Sequence, residues 1–209
     1  MKRPVRIDLI DDDAPVLDAL GMFLERRGFA VERFARASDY VKVAAGRDRD
    51  CIVADIRMPG MSGMDLQRWL TRAGVTTPLI LITGFADVGV AVAAMKAGAF
   101  DFLEKPVDER RLVASIKQAL HRAEELQAEQ DADQRAMGLF ESLSERERDV
   151  MSRAALGRTS REIAAELGIS PRTVEIHRAS VMEKTGSASL ADVVRLYLRV
   201  EAVQAQRRG

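Results

Sequence analysis

The feature that most constrains the fold is an alternation of short apolar runs and amphipathic stretches across the first 120 residues. Each apolar run is followed by apolar residues at helical spacing, such as Leu20, Phe23 and Leu24 after the first run. Strands that alternate with helices form a parallel sheet covered on both faces. We therefore predict an α/β fold, a doubly wound five-stranded parallel sheet, with strands at residues 6–10, 31–34, 51–55, 79–83 and 100–103.

The acidic residue Asp55 ends the third apolar run, CIVAD, and the polar stretch after it must leave the sheet. On this segment alone, a solvated acid that begins a turn is the simpler interpretation. Polar residues also follow the other strands: Asp11 and Asp12 after the first, Thr83 at the end of the fourth and Lys105 after the fifth. Because the carboxyl ends of parallel strands share one edge, where ligands bind, we expect these five residues at one site.

This combination of side chains favours phosphoryl chemistry. Three carboxylates in close proximity repel one another unless a cation joins them, and oxygen ligands suit Mg²⁺. Asp55 is then positioned as a nucleophile toward phosphorus, with Mg²⁺, Lys105 and Thr83 on the phosphoryl oxygens. Each residue also has a simpler explanation as an ordinary polar group at a strand end, but their matched positions favour a joint site.

The composition excludes several classes of protein. Hydrophobic residues make up 47% of the chain, yet no apolar run approaches the length of a membrane span. The start, MKRPVRIDLI, is too short and too acidic for a signal peptide, so we expect a cytoplasmic protein with no membrane partner. The one cysteine, Cys51, lies in a predicted buried strand, and no cysteine or histidine cluster suggests zinc.

A second, helical domain is predicted after the sheet. We place the first domain at residues 1–121, a helical linker rich in Ala, Glu, Gln and Arg at 122–141, and an all-α domain at 142–209. In the last, Ser144 and Glu147 form a capping box, Ser160 is expected to cap a second helix, and Ser170 a third. Ser38 is likewise expected to cap the second helix of the first domain.

A short helix, a glycine turn and a longer helix form the pattern of a helix-turn-helix. Residues 141–209 carry 12 basic and 10 acidic side chains, an excess too weak to indicate nucleic-acid binding by itself. A three-helix packing unit with a charged face is therefore an equal alternative at this point. The predicted outward side chains of the third helix are Arg172, Thr173, Glu175, Ile176, His177, Arg178 and Lys184.

The segments IDDDAPV, DIRMPGMSG, LITG and FLEKP resemble the signatures of the receiver domain of bacterial two-component response regulators, the CheY-like fold, over residues 5 to about 120. The resemblance implies strand order 2-1-3-4-5 and makes Asp55 the phosphoacceptor for a histidine kinase. It further implies phosphoryl contacts from Thr83 and Lys105, and an aromatic switch at Phe102. The implied Mg²⁺ ligands are Asp11, Asp12, Asp55 and the backbone carbonyl of Arg57. Family members vary at the position of Phe85, so the rate of self-dephosphorylation is not transferable.

The segments LSERERDVM, GRTSREIAAELGISPRTVEIHR and LADVVRLYL resemble the LuxR-type helix-turn-helix, particularly its FixJ-like subgroup, over residues 143 to about 199. This resemblance implies that the third helix enters the major groove of double-stranded DNA. The residues then expected to face the groove are Arg172, Thr173, Glu175, Ile176 and Arg178. Arg158, Arg161 and Lys184 are then expected to hold phosphates, and His177 fits either packing or a phosphate contact. The last helix, residues 190–200, commonly dimerises on DNA in this family.

Together the two resemblances imply a response regulator that a sensor histidine kinase phosphorylates and that then dimerises, binds promoter DNA and regulates transcription, with RNA polymerase as a further partner. Val92 and Lys96 are the expected contacts of the receiver dimer. Such a protein accepts a phosphoryl group and slowly loses it, but is not a turnover enzyme. Two alternatives stay open: a phosphohydrolase, and a phosphorelay or protein-binding adaptor without sequence-specific DNA binding.

Overall fold

The computed structural model describes residues 3–44, 46–84 and 88–208. The chain divides into two compact units, one ending at Glu125 and the other beginning at Leu126. A long helix, Glu109–Glu141, contributes residues to both units, and it contains the predicted helical linker. Among the described residues, no helix combines the length and apolar character needed to cross a membrane.

The first unit alternates strands and helices as predicted. Its described strands form one parallel five-stranded sheet in the order β2-β1-β3-β4-β5. The strands are β1 (Arg6–Ile10), β2 (Ala30–Phe34), β3 (Cys51–Asp55), β4 (Leu79–Thr83) and β5 (Asp101–Glu104). The helices are α1 (Ala14–Arg26), α2 (Ala37–Ala44), α3 (Gly63–Arg72), α4 (Val88–Lys96) and the first part of α5 (Glu109–Glu141).

Both faces of the sheet are covered, which explains why β3 and β4 are buried along their whole length and apolar up to their last residues, Asp55 and Thr83. On one face Ile7 packs in a cluster with Leu112 and Ile116 of α5. On the other face Ile52 packs with Leu66 of α3. This double burial fixes the strand register and thereby brings the ends of β1, β3, β4 and β5 to one edge.

The beginnings of two helices matter for that edge. Asp13 caps α1, accepting a hydrogen bond from the amide of Val16. Ser62 and Asp65 form a capping box at α3. The prediction that Ser38 caps α2 is wrong, because α2 begins at Ala37 and already includes Ser38.

The α3 helix begins directly against the end of β3, and only glycine fits there. A Cβ atom on Gly63 would collide with the carbonyl oxygen of Asp55 and lie 3.0 Å from Cα of Ile56. The Gly63 amide donates to the carbonyl of Ile56 at 2.9 Å. The loop that leaves Asp55 is therefore closed tightly against the sheet.

The second unit is helical. Besides the end of α5, it comprises α6 (Glu145–Ala155), α7 (Ser160–Leu167), α8 (Pro171–Thr185) and α9 (Leu190–Arg208). The capping box of Ser144 and Glu147 is present, and Ser170 caps α8 as predicted. The α7 cap is different: Thr159, paired with Glu162, occupies it, and Ser160 is the first helical residue.

The turn between α7 and α8 has the geometry that the sequence predicts. Gly168 ends α7 in the left-handed conformation, at a φ of 67°, which glycine adopts at little cost. Ile163, Ala164 and Val174 pack together beneath the turn. Val181 of α8 belongs to a neighbouring cluster with Val193 of α9.

The C-terminal part of α5 packs within the second unit. Ala136 and Met137 are buried against Val200 and Val203 of α9. The Asp133 carboxylate also accepts a hydrogen bond from Nε of Arg199 at 2.6 Å. The segment predicted as a separate linker, residues 122–141, thus contributes its last turns to the hydrophobic core of the helical unit.

Candidate functional site

The predicted acidic edge is present at the ends of β1, β3 and β5. Nζ of Lys105 lies 2.7 Å from Oδ2 of Asp11 and 3.0 Å from Oδ1 of Asp55. Asp11 and Asp55 are buried, at 2% and 5% exposure, whereas Asp12 is exposed. One ammonium group therefore neutralises two carboxylates that face each other across neighbouring strands.

Backbone contacts fix the direction of the Asp55 side chain. Its Oδ2 accepts a hydrogen bond from the amide of Arg57 at 3.0 Å. The next residue, Ile56, continues the sheet by donating to the carbonyl of Ile82 at 2.8 Å. Across the edge, the amide of Asp13 donates to Oδ1 of Asp11 at 2.9 Å. Both buried carboxylates are thus oriented before any ligand arrives.

The electrostatics of the pair follow from burial and mutual charge. Burial raises the pKa of the Asp55 carboxyl above its ordinary value, and the nearby negative charge of Asp11 adds to this. Lys105 and the Arg57 amide act in the opposite direction by stabilising the carboxylate. For Lys105, burial favours the neutral amine, but the two carboxylates outweigh it and raise the pKa, so the ammonium form dominates.

The acidic edge fits a divalent cation. Carboxylate oxygens of Asp11, Asp12 and Asp55 all lie within 4.8 Å of one another. Hard oxygen donors at this spacing, one of them on an exposed side chain, suit Mg²⁺ with several bound water molecules. The three carboxylates are therefore compatible with the predicted metal site, whereas the carbonyl of Arg57 stays a prediction as its fourth ligand.

Two further predicted residues lie near this edge. Thr83 is buried at 1% exposure at the end of β4, and its carbonyl accepts a hydrogen bond from the Lys105 amide at 2.7 Å. Phe102, in the middle of β5, is half-buried and packs against the core cluster beneath α3 and α4. Phe85, which the sequence analysis singled out, lies outside the described residues.

The α4 helix carries an apolar stripe that faces outward. Val88, Val92 and Met95, spaced one helical turn apart, are 79%, 46% and 48% exposed, and Lys96 is also exposed. Of the residues in this helix, Ala94 is buried. Val92 and Lys96 stay predicted dimer contacts, and the exposure of Val88 and Met95 was not predicted, because apolar periodicity does not distinguish a buried face from an exposed one.

The α8 helix presents a mixed surface. Arg172, Glu175 and Ile176 are exposed, as predicted, whereas Thr173, His177 and Arg178 are half-buried. Arg158 and Arg161 are exposed at the start of the helix-turn-helix, and Lys184 is exposed near its end. Half of the six predicted outward residues between Arg172 and Arg178 are therefore exposed, and the other half are partly covered by the domain.

Several of these polar side chains already have partners. Ser160 of α7 donates to Glu175 and accepts from Nη1 of Arg178 at 2.9 Å. Lys184 donates to Glu147 of α6 at 2.8 Å, and Ser180 donates to the same carboxylate at 2.6 Å. Lys184 thus helps to hold α8 against α6, a role that sequence analysis did not identify.

Glu147 is the central group of this packing contact. Although burial disfavours its charge, hydrogen bonds from Lys184, Ser180 and Ser144 lower the pKa of its carboxyl to about 2. The capping-box pattern revealed its contact with Ser144, but no sequence signal indicates its contacts with α8. The same carboxylate therefore caps the start of α6 and holds α8 through Lys184 and Ser180.

Comparison with known proteins agrees with both halves of this description. Residues 7–117 match the family "Response regulator receiver domain", and residues 141–197 match "Bacterial regulatory proteins, luxR family". Among curated relatives, the transcriptional regulatory protein FixJ of Azorhizobium caulinodans is 41% identical over 95% of this chain and 94% of its own length. The response regulator protein TodT of Pseudomonas putida is 37% identical over 93% of this chain and 86% of its own.

Solved structures extend the similarity to three dimensions. The response regulator StyR superimposes with a TM-score of 0.81 at 39% identity, covering 94% of this chain and all of that one. Full-length FixJ from B. japonicum gives a TM-score of 0.62 at 39% identity, over 96% and 99% of the two chains. With an acidic strand-end site and a helix-turn-helix in one chain, this protein belongs to the response regulators that join a receiver domain to a LuxR-type DNA-binding domain, as FixJ does.

Proposed function

We propose that a sensor histidine kinase phosphorylates Asp55, and that the phosphorylated protein dimerises and binds promoter DNA to regulate, and in our expectation activate, transcription. The observation that carries the proposal is the contact of Lys105 with both Asp11 and Asp55 at the sheet edge. It occurs in a chain that also has a LuxR-type domain. The cytoplasm is the expected compartment, and RNA polymerase the expected downstream partner.

The chemistry of this edge is phosphoryl transfer. A carboxylate oxygen of Asp55 attacks phosphorus, the bond from phosphorus to the kinase imidazole breaks, and the imidazole leaves with the electron pair. Lys105 neutralises charge on one phosphoryl oxygen, and Thr83 donates its hydroxyl to another. Asp11, Asp12, Asp55 and the Arg57 carbonyl would hold Mg²⁺, which would supply further neutralisation of that charge. Slow hydrolysis of the acyl phosphate returns the carboxylate.

The response is a population shift between two arrangements of the receiver. Movement of Thr83 toward the phosphoryl group makes room for Phe102 to turn inward, which alters the surface of α4 and β5. The exposed stripe of Val88, Val92 and Met95 supports α4 as the dimer surface, with Lys96 beside it. A dimer then presents two α8 helices to two half-sites of one operator.

In vitro selection of genomic DNA fragments by the full-length protein tests this proposal. Selections run with and without Mg²⁺ and acetyl phosphate, using the wild type, Asp55→Asn and the matched control Asp18→Asn, whose side chain is 72% exposed on α1. We expect a two-fold symmetric site that the wild type and the control enrich only with the phosphodonor. Equal enrichment by Asp55→Asn would remove phosphorylation as the switch, and no enrichment by any protein would favour the adaptor function.

A further inference from the structure

The outer face of α8 carries an apolar side chain where a polar one is expected. Ile176 is 61% exposed, one turn after the exposed Arg172 and one turn before the exposed Ala179. These three residues, at i, i+4 and i+7, form a single line along the helix. A lone exposed apolar side chain is common on protein surfaces, so it is the place of Ile176 on the helix that a helix-turn-helix presents to DNA that gives it significance.

The polar neighbours of Ile176 are largely occupied within the domain. Glu175 and Arg178 both bind Ser160 of α7, and Lys184 binds Glu147. For Arg172, by contrast, the described part of the chain provides no hydrogen-bonding or ion-pair partner. Arg172 and Ile176 are therefore exposed side chains of this helix that no such contact within the domain engages.

The charges along the same line define which end approaches DNA. Arg172 stands at the N-terminal end of α8 and the exposed Glu183 near its C-terminal end. Phosphate groups attract the first and repel the second. The N-terminal half of α8 is therefore the part that can reach base edges, and Ile176 lies near the end of that half.

Thymine alone presents a methyl group in the major groove, where guanine presents two acceptors that match a guanidinium. We propose that Ile176 selects thymine in each operator half-site by covering its C5-methyl group, while Arg172 binds a nearby guanine. The small side chain of Ala179 permits the close approach that this contact needs. This inference rests on the proposed DNA-binding function and adds which base Ile176 of α8 recognises.

The experiment replaces thymine by deoxyuridine, one position at a time, in the operator obtained by selection. Deoxyuridine pairs like thymine but lacks the methyl group. Binding by full-length phosphorylated wild type and Ile176→Ala is measured by fluorescence anisotropy. At one thymine per half-site we expect deoxyuridine to weaken wild-type binding about three- to fivefold, the effect of one buried methyl group. Ile176→Ala should bind both operators with the same, weaker affinity.

The matched control is Leu156→Ala, which shortens another exposed apolar side chain, 73% exposed, outside α8. This variant should keep the wild-type response to deoxyuridine. Because Ile176 is exposed and alanine favours helix, Ile176→Ala should remain folded, which circular dichroism checks. Selective binding with no sensitive thymine, or a thymine whose replacement still weakens Ile176→Ala, would overturn this inference and keep the proposed function. Absence of selective DNA binding would overturn both.

Discussion

Asp55 and Arg172 represent two ways of presenting a functional group. Asp55 is buried, bonded to Lys105 and to a backbone amide, and positioned by a sheet whose register cannot change. Arg172 is exposed on a helix whose orientation depends on contacts elsewhere, such as Glu147 with Lys184. The difference indicates that the side chains of the receiver site are fixed by their own hydrogen bonds. The DNA-binding surface is instead positioned by contacts between α8 and the rest of the helical unit.

The largest expected effect comes from removing the ammonium group of Lys105 from the buried site. Lys105→Gln leaves Asp11 and Asp55 facing each other without compensation, which should lower the free energy of unfolding by about 3 kcal/mol. Urea denaturation, followed through the fluorescence of Trp69 in α3, measures this change. Addition of millimolar Mg²⁺ should restore most of the loss, because a divalent cation supplies the missing charge.

Lys117→Gln, which changes an exposed lysine of α5, is the control and should leave the midpoint unchanged. If Lys105→Gln and the wild type were equally stable without Mg²⁺, Lys105 would not be neutralising the charges of Asp11 and Asp55 as described.

The second effect tests the contact through which Glu147 of α6 positions α8. Because the folded pKa of Glu147 is about 2, below its ordinary value of 4.5, its carboxylate contributes stability above about pH 5, and this is lost as pH falls toward 2. Glu147→Gln should lower stability at pH 7 by about 2 kcal/mol. The difference from the wild type should shrink steadily below pH 4.5, as thermal unfolding followed by circular dichroism can measure.

Glu145→Gln, an exposed change in the same first turn of α6, is the matched control. If the difference in stability between Glu147→Gln and the wild type stayed constant from pH 7 to pH 3, the charge of Glu147 would not be what holds α8.

A third effect separates base contacts from phosphate contacts on the exposed surface. Arg172→Ala should weaken the free energy of binding to the specific operator by about 1 to 2 kcal/mol and relax selectivity at one operator position. Arg161→Ala should weaken binding to all sequences and reduce the salt dependence by about one counterion. Titrations of specific and random DNA at several salt concentrations distinguish the two, and identical behaviour of both variants would refute the assignment.

The smallest effect concerns the exposed stripe of α4. Val92→Ser should weaken phosphorylation-dependent dimerisation by about 1 kcal/mol, through the loss of apolar burial. The free energy of unfolding of the monomer should change by less than about 0.5 kcal/mol, since Val92 is exposed. Sedimentation equilibrium with the phosphodonor measures the first quantity. Val43→Ser, at an exposed valine of α2, should leave dimerisation intact.

Sequence patterns predicted the buried half of this molecule well. The apolar runs predicted β3 and β4 with the observed bounds, Cys51–Asp55 and Leu79–Thr83, because strands covered on both faces are apolar until the chain reaches the edge of the sheet. Knowing the strand ends was then enough to bring Asp55 and Lys105 together.

The exposed half was less predictable, for physical reasons. Serine is a good capping residue, yet Ser38 is the second residue of α2 and Ser160 the first of α7, so residue preference alone cannot place the boundary. The contact of Glu147 with Lys184 joins residues 37 positions apart and leaves no local pattern. The apolar stripe on α4 has the periodicity of a buried face, and only the packed structure reveals that it is exposed.

Gly63 extends these considerations to a residue with no functional group. It has no charge, no hydroxyl and no part in phosphoryl transfer, yet a single added methyl group would press on the carbonyl of Asp55. Screens for inactive variants should therefore recover this position alongside the acidic residues. For anyone who transplants the phosphoacceptor loop into another scaffold, the smallest residue at the start of α3 belongs to the graft as much as the aspartate does.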